Sequence, residues 1–228
     1  MLFGVVSDTH LEYDQYVNLP GTYDCLLLCG DIANSNYPFL ETFLTQCKFR
    51  SKIVVYIAGN HEYWYSDIES TNKHLKELCD RLGIIYLQNN HMCIGDIGIY
   101  GGTMWANPMD WVYTKKYKGD SVRIRRYYPT VYREYHNFRA NLEKFRYTNY
   151  RKRIVMSHHC PSWDTCEERG ELSTLYHDYV SLDNIDYWCY GHTHKRRVDQ
   201  IEDTTLITWA HGRPREISEP YQPYTFHL

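Results

Sequence analysis

The run Leu2-Phe3-Gly4-Val5-Val6-Ser7-Asp8-Thr9-His10 sets an unbroken apolar segment against an acid and an imidazole two residues apart. A short apolar run without polar alternation predicts a strand buried on both faces. The arrangement recurs along the chain. Cys25 to Cys29 precedes Gly30-Asp31, Ile53 to Ile57 precedes Gly59-Asn60-His61-Glu62, Ile154 to Met156 precedes Ser157-His158-His159, and Tyr187 to Tyr190 precedes Gly191-His192-Thr193-His194. Helix-length segments lie between these runs, chiefly Tyr37 to Lys48, Ser66 to Leu82 and Thr130 to Phe145. Strands alternating with helices predict an α/β layer structure. Gly95-Asp96, flanked by Met92-Cys93-Ile94 and Ile97-Gly98-Ile99, reads as a tight hairpin, and Lys195 to Trp209 as another, with Thr204 to Trp209 returning. The mixture predicts a β-sandwich core flanked by helices.

With 228 residues the chain has room for one such domain, spanning residues 1–228, and contains no internal repeat, low-complexity tract or linker. No stretch approaches the roughly 20 apolar residues that span a bilayer, and Met1 leads directly into the first strand. The expectation is a soluble, cytoplasmic protein with no membrane partner. Eight cysteines are scattered without a Cys-x-x-Cys pair, which predicts reduced core residues. The net charge of −3 conceals an asymmetry: Trp105 to Arg153 holds 13 Lys and Arg against 4 Asp and Glu. This basic, tyrosine-rich insert, about 105–150, would either wall an anionic substrate or form a solvated helix and loop. Its tyrosines at 113, 117, 127, 128, 132 and 135 could stack on bases or pack against the core.

Strand ends supply the crevice of an open α/β sheet, so residues distant in sequence can converge there. Glycines before Asp31, Asn60 and His192 permit sharp turns that aim the following side chain into that crevice. Imidazole, carboxylate and amide oxygen together suit divalent Mn, Fe, Zn or Ni. An isolated Asp-x-His or Gly-Asp arises readily by chance; five such elements in this order, each closing an apolar run, do not.

The order Asp8-x-His10, Gly30-Asp31, Gly59-Asn60-His61-Glu62, His158 and Gly191-His192-x-His194 resembles the calcineurin-like metallophosphoesterase superfamily, over residue 4 to about residue 194. The resemblance implies a four-layer α/β/β/α sandwich with a two-metal site at its edge. It places Asp8, His10 and His194 on one ion, Asn60, His158 and His192 on the other, and Asp31 between them. His61 matches the family's catalytic histidine, which contacts the phosphate or leaving group. Spacing alone leaves His158 and His159 open; the resemblance favours His158 as the ligand, with His159 contacting substrate or serving as a partnered buried residue. The Ser157 to Ser162 segment and the Trp105 region resemble a compact microbial branch. A departure lies at Ala210-His211-Gly212-Arg213-Pro214, where the family carries an Asn-Pro-Arg-Gly-like turn, so that His211 or Arg213 would take over substrate contacts.

Two divalent ions bring four positive charges and Asp8 with Asp31 return two, leaving about +2, or about +1 with a shared hydroxide. Such a site attracts a phosphoryl group and generates its nucleophile from water at neutral pH. The expected function is therefore hydrolysis of phosphomonoesters or phosphodiesters, nucleotide-like ones included, by a metal-bridging hydroxide. Asp31 and His61 form the catalytic set, with His61 at the leaving group, and Asn60, His61, His159, His211 and Arg213 face the substrate. The alternatives are a metal-dependent nuclease, for which the basic insert argues, and a non-catalytic metal-bound scaffold.

Overall fold

Along Cys25-Leu26-Leu27-Leu28-Cys29 every side chain is fully buried, yet successive residues enter different cores. Leu26 and Leu28 pack with Phe43, Leu44 and Leu75, whereas Cys25, Leu27 and Cys29 pack with Ile99, Ile154, Met156 and Ile207. A strand's two faces alternate, so an apolar run without polar breaks is the mark of a sheet covered on both sides.

The computed structural model describes residues 1–106, 119–162, 180–217 and 219–228. Its first sheet contains β1 (Leu2–Val6), β2 (Tyr23–Cys29), β3 (Ser51–Ile57), β4 (Ile85–Tyr86) and β11 (Tyr224–His227), ordered β11-β1-β2-β3-β4. Only β11 runs antiparallel. The second contains β5 (Asn90–Ile94), β6 (Ile97–Gly102), β7 (Lys152–Ser157), β8 (Tyr187–Tyr190), β9 (Arg196–Ile201) and β10 (Thr204–Trp209), ordered β5-β6-β7-β8-β10-β9. Its outer strands β5 and β9 are antiparallel and the inner ones parallel. Helices α1 (Leu40–Arg50) and α2 (Ile68–Leu82) cover the first sheet. The short α3 (Asp120–Arg123) leads to α4 (Tyr127–Phe145), whose Phe138, Leu142 and Phe145 cover the second. The result is the α/β/β/α sandwich that the resemblance implied.

Both expected hairpins are present, with Ile94 opposite Ile97 and Ile201 opposite Thr204. Helix starts differ from the expectation for local reasons. Asp67, extended, accepts the Ser70 backbone N–H and caps α2, so the helix begins at Ile68. Helix α4 begins at Tyr127, three residues before the expected Thr130, because Pro129 lies in a first turn whose N–H groups need no intrahelical partner. The seven described cysteines are free thiols, six of them buried; Cys166 lies outside the described residues. No helix among the described residues is long and apolar enough to cross a membrane.

Of the two uses foreseen for the tyrosines of the basic tract, packing against the core is seen at Tyr127 and Tyr135. Tyr127 packs edge-on against buried Trp105, and Tyr135 is buried, while Tyr132 is 49% exposed; Tyr113 and Tyr117 lie outside the described residues. The segment after α3 docks along the turn preceding α2 through Tyr65 N–H to Arg123 O and Arg125 N–H to Ser66 O, both 2.8 Å. That docking carries part of the tract to the ends of the strands.

Candidate metal centre

The two sheets meet at the carboxyl ends of β1 and β10. Ser7 bridges to Ala210 in parallel, and the His211 and Gly212 N–H groups donate to Ser7 O and Asp8 O, each at 2.9 Å. The loops leaving β1, β2, β3, β7 and β8 are thereby drawn to one place, which is why motifs spread from residue 8 to residue 194 share a site.

Five of these residues take a backbone conformation that L side chains seldom adopt: φ is 52° at Asp8, 41° at His10, 51° at Asp31, 65° at His192 and 51° at His194. Asp and His are among the residues that tolerate the left-handed region, at a cost of about 1–3 kcal/mol where it is strained. The glycines therefore act differently from the expectation. Gly30 does take positive φ (+84°), but Gly59 is required by crowding: a Cβ there would stand 2.2 Å from Asp31 Oδ1.

Asp8, His10, Asp31 and His194 form one group of converging ligand atoms, and Asp31, His158 and His192 a second, each with its atoms within 4.8 Å of one another. In the first, His10 Nε2 lies 3.0 Å from His194 Nε2 and 3.7 Å from Asp31 Oδ2. In the second, His158 Nε2 lies 3.3 Å from Asp31 Oδ1 and 3.1 Å from His192 Nδ1. Asn60 Oδ1 joins the second group, 3.0 Å from His158 Nε2 and 3.1 Å from His192 Nδ1. Asp31 thus turns one oxygen to each group.

The donor set fits cations. His10 Nδ1 is 3.1 Å from Glu12 Oε1 and His194 Nδ1 is 2.5 Å from Glu216 Oε2, so each ring donates on that side to a carboxylate and presents a lone pair at Nε2. Two such lone pairs 3.0 Å apart repel unless a cation joins them. His158 Nδ1 likewise donates to the Cys29 carbonyl at 2.9 Å, aiming its Nε2 lone pair at the Asn60 oxygen. Asp8 Oδ2 is buried with no hydrogen-bond partner among the described residues. Burial opposes ionisation of Asp31, but the imidazoles of His158, His61 and His10 hold its carboxyl well below the usual range. Burial also opposes charge on His158, and Asp31 and Asp8 nonetheless push it up to about 10. An anion-rich pocket that stabilises positive charge this strongly suits metal ions.

His61, 1% exposed, stands beside this cluster with Nε2 3.8 Å from Asp31 Oδ2 and Nδ1 2.7 Å from Glu12 Oε1. Trp64 stacks on its ring with centroids 3.4 Å apart. Arg213 brings Nη2 to 3.5 Å from His61 Nε2 and holds its guanidinium over Tyr13. His159 is buried behind the second group, its Nδ1 3.3 Å from the Thr103 carbonyl and its ring 4.4 Å from that of His192. His211 turns to its own strand end, with Nδ1 3.0 Å from Gly212 O and its ring against Tyr221.

Four acidic residues were not assigned roles from sequence. Glu12 and Glu216 orient histidines, as described. Asp120, from α3 in the basic tract, accepts from Asn60 Nδ2 at 3.0 Å and Trp64 Nε1 at 2.7 Å, fixing which end of the Asn60 amide faces the cluster. Glu62 accepts from the backbone N–H groups of Asp31, Ile32 and Gly59 and from the Tyr56 hydroxyl, tying the loops after β2 and β3 together. Burial, and next the Asp31 carboxylate, push Glu62 up to about 7. Glu62 stood inside a recognised motif and Glu12 two residues past another; Asp120, at the start of α3, and Glu216, in a loop, belong to no motif.

The sequence profile described as calcineurin-like phosphoesterase matches residues 1–196. The chain belongs to the calcineurin-like phosphoesterase family. An uncharacterized protein of Acanthamoeba polyphaga mimivirus is similar to this family member at 26% identity, over 97% of this chain and 94% of its own. Among solved structures, phosphopantetheinyl hydrolase from Mycobacterium tuberculosis superposes with a TM-score of 0.75 at 17% identity, covering 94% of this chain and 90% of that one. A dimetal phosphatase from Danio rerio aligns at a TM-score of 0.47 and 13% identity, over 92% of this chain and 87% of that one. The first superposition supports the shared fold.

Proposed function

We propose that this family member is a dinuclear metal-dependent phosphoesterase acting on phosphomonoesters or phosphodiesters. The observation that carries the reading is the pair of ligand groups joined by Asp31, whose two oxygens face different groups. Asp8, His10, Asp31 and His194 would hold one ion, and Asn60, Asp31, His158 and His192 the other. Two divalent ions supply Lewis acidity, charge neutralisation at the phosphoryl oxygens and a nucleophile from water at neutral pH.

The chain's own groups do the rest. His61 would hold a proton at Nε2 and pass it to the departing oxygen: burial opposes its charge, but Asp31 and Glu12 raise its pKa above the ordinary histidine value. Arg213, beside that nitrogen, binds phosphoryl or leaving-group oxygens. His159 supports the second ligand group from behind and His211 the strand junction. Around the ligands, Glu12, Glu216 and Asp120 add negative charge that offsets part of the ions' charge, and Arg123 and Arg213 restore positive charge at the rim.

Turnover of a generic phosphomonoester and phosphodiester, measured on protein reconstituted with Mn, Fe, Zn or Ni, tests the reading. His61→Gln is expected to keep both ions and lose turnover chiefly on esters with poor leaving groups. Stoichiometric binding of two ions with no hydrolysis of any ester refutes catalysis and leaves a scaffold. The nuclease reading keeps support from the docking of the basic tract beside Asn60; binding of single-stranded nucleic acid that weakens steeply with salt is its signature.

A further inference from the structure

Glu12 lies outside the two groups that share Asp31, and its carboxylate converges instead with His10 and His61. It lies in the short 3₁₀ turn Leu11–Tyr13, entered through the left-handed His10, and its side chain is 11% exposed. The turn cannot drift. Leu11 N–H and the Thr9 hydroxyl both donate to Ile32 O, at 3.0 and 2.9 Å, and Gln15 Nε2 ties Thr9 O to Gly212 O at 2.6 and 2.9 Å. From this support a single oxygen, Oε1, reaches His10 Nδ1 at 3.1 Å and His61 Nδ1 at 2.7 Å. The other oxygen, Oε2, is buried without a hydrogen-bond partner among the described residues.

Resting on the phosphoesterase reading above, we propose that Glu12 is a positioning residue whose Oε1 fixes the orientation and tautomer of His10 and His61 together. A carboxylate oxygen can only accept, so both rings must bring a proton to Nδ1 and turn Nε2 toward the reaction centre. The rings stand edge to face with centroids 4.4 Å apart. One oxygen therefore sets the distance between the nitrogen that would hold a metal ion and the nitrogen that would serve the leaving group. The same requirement explains the residue type. Asp would fall about 1.5 Å short, one C–C bond, and lose both contacts. Gln keeps a carbonyl oxygen at the same reach, able to accept from both rings.

The test separates placement from charge. Glu12→Gln, neutral but of correct reach, is expected to retain more of kcat on an alkyl phosphate with a poor leaving group than the two variants that lose the contact, because Asp31 still favours the proton on His61. Glu12→Asp and Glu12→Ala are expected to lose about 10- to 100-fold in kcat with little change in KM, and to weaken one of two manganese ions by a similar factor. Full activity in Glu12→Asp with loss in Glu12→Gln would overturn the proposal, because charge would then be the requirement. A second measurement needs neither turnover nor variants. Long-range ¹H–¹⁵N spectra of the wild-type full chain should show a proton on Nδ1 of His61 with metal bound and on Nδ1 of His10 after chelation. A bare Nδ1 on either ring overturns it. If the wild-type protein hydrolyses no ester, the enzymatic reading fails, while the spectra and the manganese titration still decide the role of Glu12.

Discussion

Gly59→Ala should inactivate the protein through one steric contact. A Cβ at position 59 would lie 2.2 Å from Asp31 Oδ1, 2.5 Å from Asp31 N and 2.8 Å from His158 Cε1, where ordinary contact begins at 3.4 Å. The Asp31 carboxylate must therefore retreat by about 1.2 Å, the difference between 3.4 and 2.2 Å. It cannot do so freely, because Oδ1 accepts the His61 N–H at 2.8 Å. Overpacking of this kind costs about 1–3 kcal/mol and the lost hydrogen bond about 1 kcal/mol more. At about 2–4 °C per kcal/mol for a chain of this size, melting should fall by about 10 °C. Displacing the carboxylate proposed to join the two ions by about 1 Å should also reduce turnover by about 100-fold. Gly95→Ala provides the control: φ is +59° and a Cβ would meet nothing within 4 Å, so it bears only the left-handed penalty, about 1–2 kcal/mol, and keeps full turnover. Thermal melts, metal counting and phosphomonoester turnover on both variants decide the matter. Wild-type melting and turnover in Gly59→Ala, or equal inactivation in Gly95→Ala, would show that crowding at Asp31 is not what demands glycine.

Asp120→Ala removes the acceptor for both Asn60 Nδ2 and Trp64 Nε1 and should weaken one ion by about 10- to 100-fold, read by metal titration; unaltered affinity for both ions would contradict the role given to Asp120. Glu216→Ala should weaken the other ion by a similar factor, since it frees the His194 ring. Asp67→Ala should cost α2 about 1 kcal/mol of capping. The Ser70 backbone N–H holds the Asp67 carboxyl below its usual value, so this contribution is present above the unfolded carboxyl value near ~3.9 and disappears as pH falls through the folded one. Melting curves of wild type and Asp67→Ala should accordingly converge in acid; a constant gap down to the lowest pH at which the protein folds would contradict this.

The sequence alone determined the layered α/β class, because the continuous apolar runs at Leu2 to Val6 and Cys25 to Cys29 can be satisfied only by strands covered on both faces. It also determined the order of the candidate metal-binding side chains, since each lies within four residues of the end of its strand. Two strands escaped it: β4 has two residues, too few for any period, and β11 reads no differently from a polar tail until it pairs with β1. Spacing left His158 and His159 open and the resemblance favoured His158; tertiary structure sets His158 against Asp31, because that depends on where the Cys29 and Thr103 carbonyls lie. The left-handed turns at five cluster residues and the partnerships of Glu12, Asp120 and Glu216 were decided there too. A hydrogen bond between loops distant in sequence leaves no periodicity in the chain; it exists only once the two sheets have packed and brought their strand ends together.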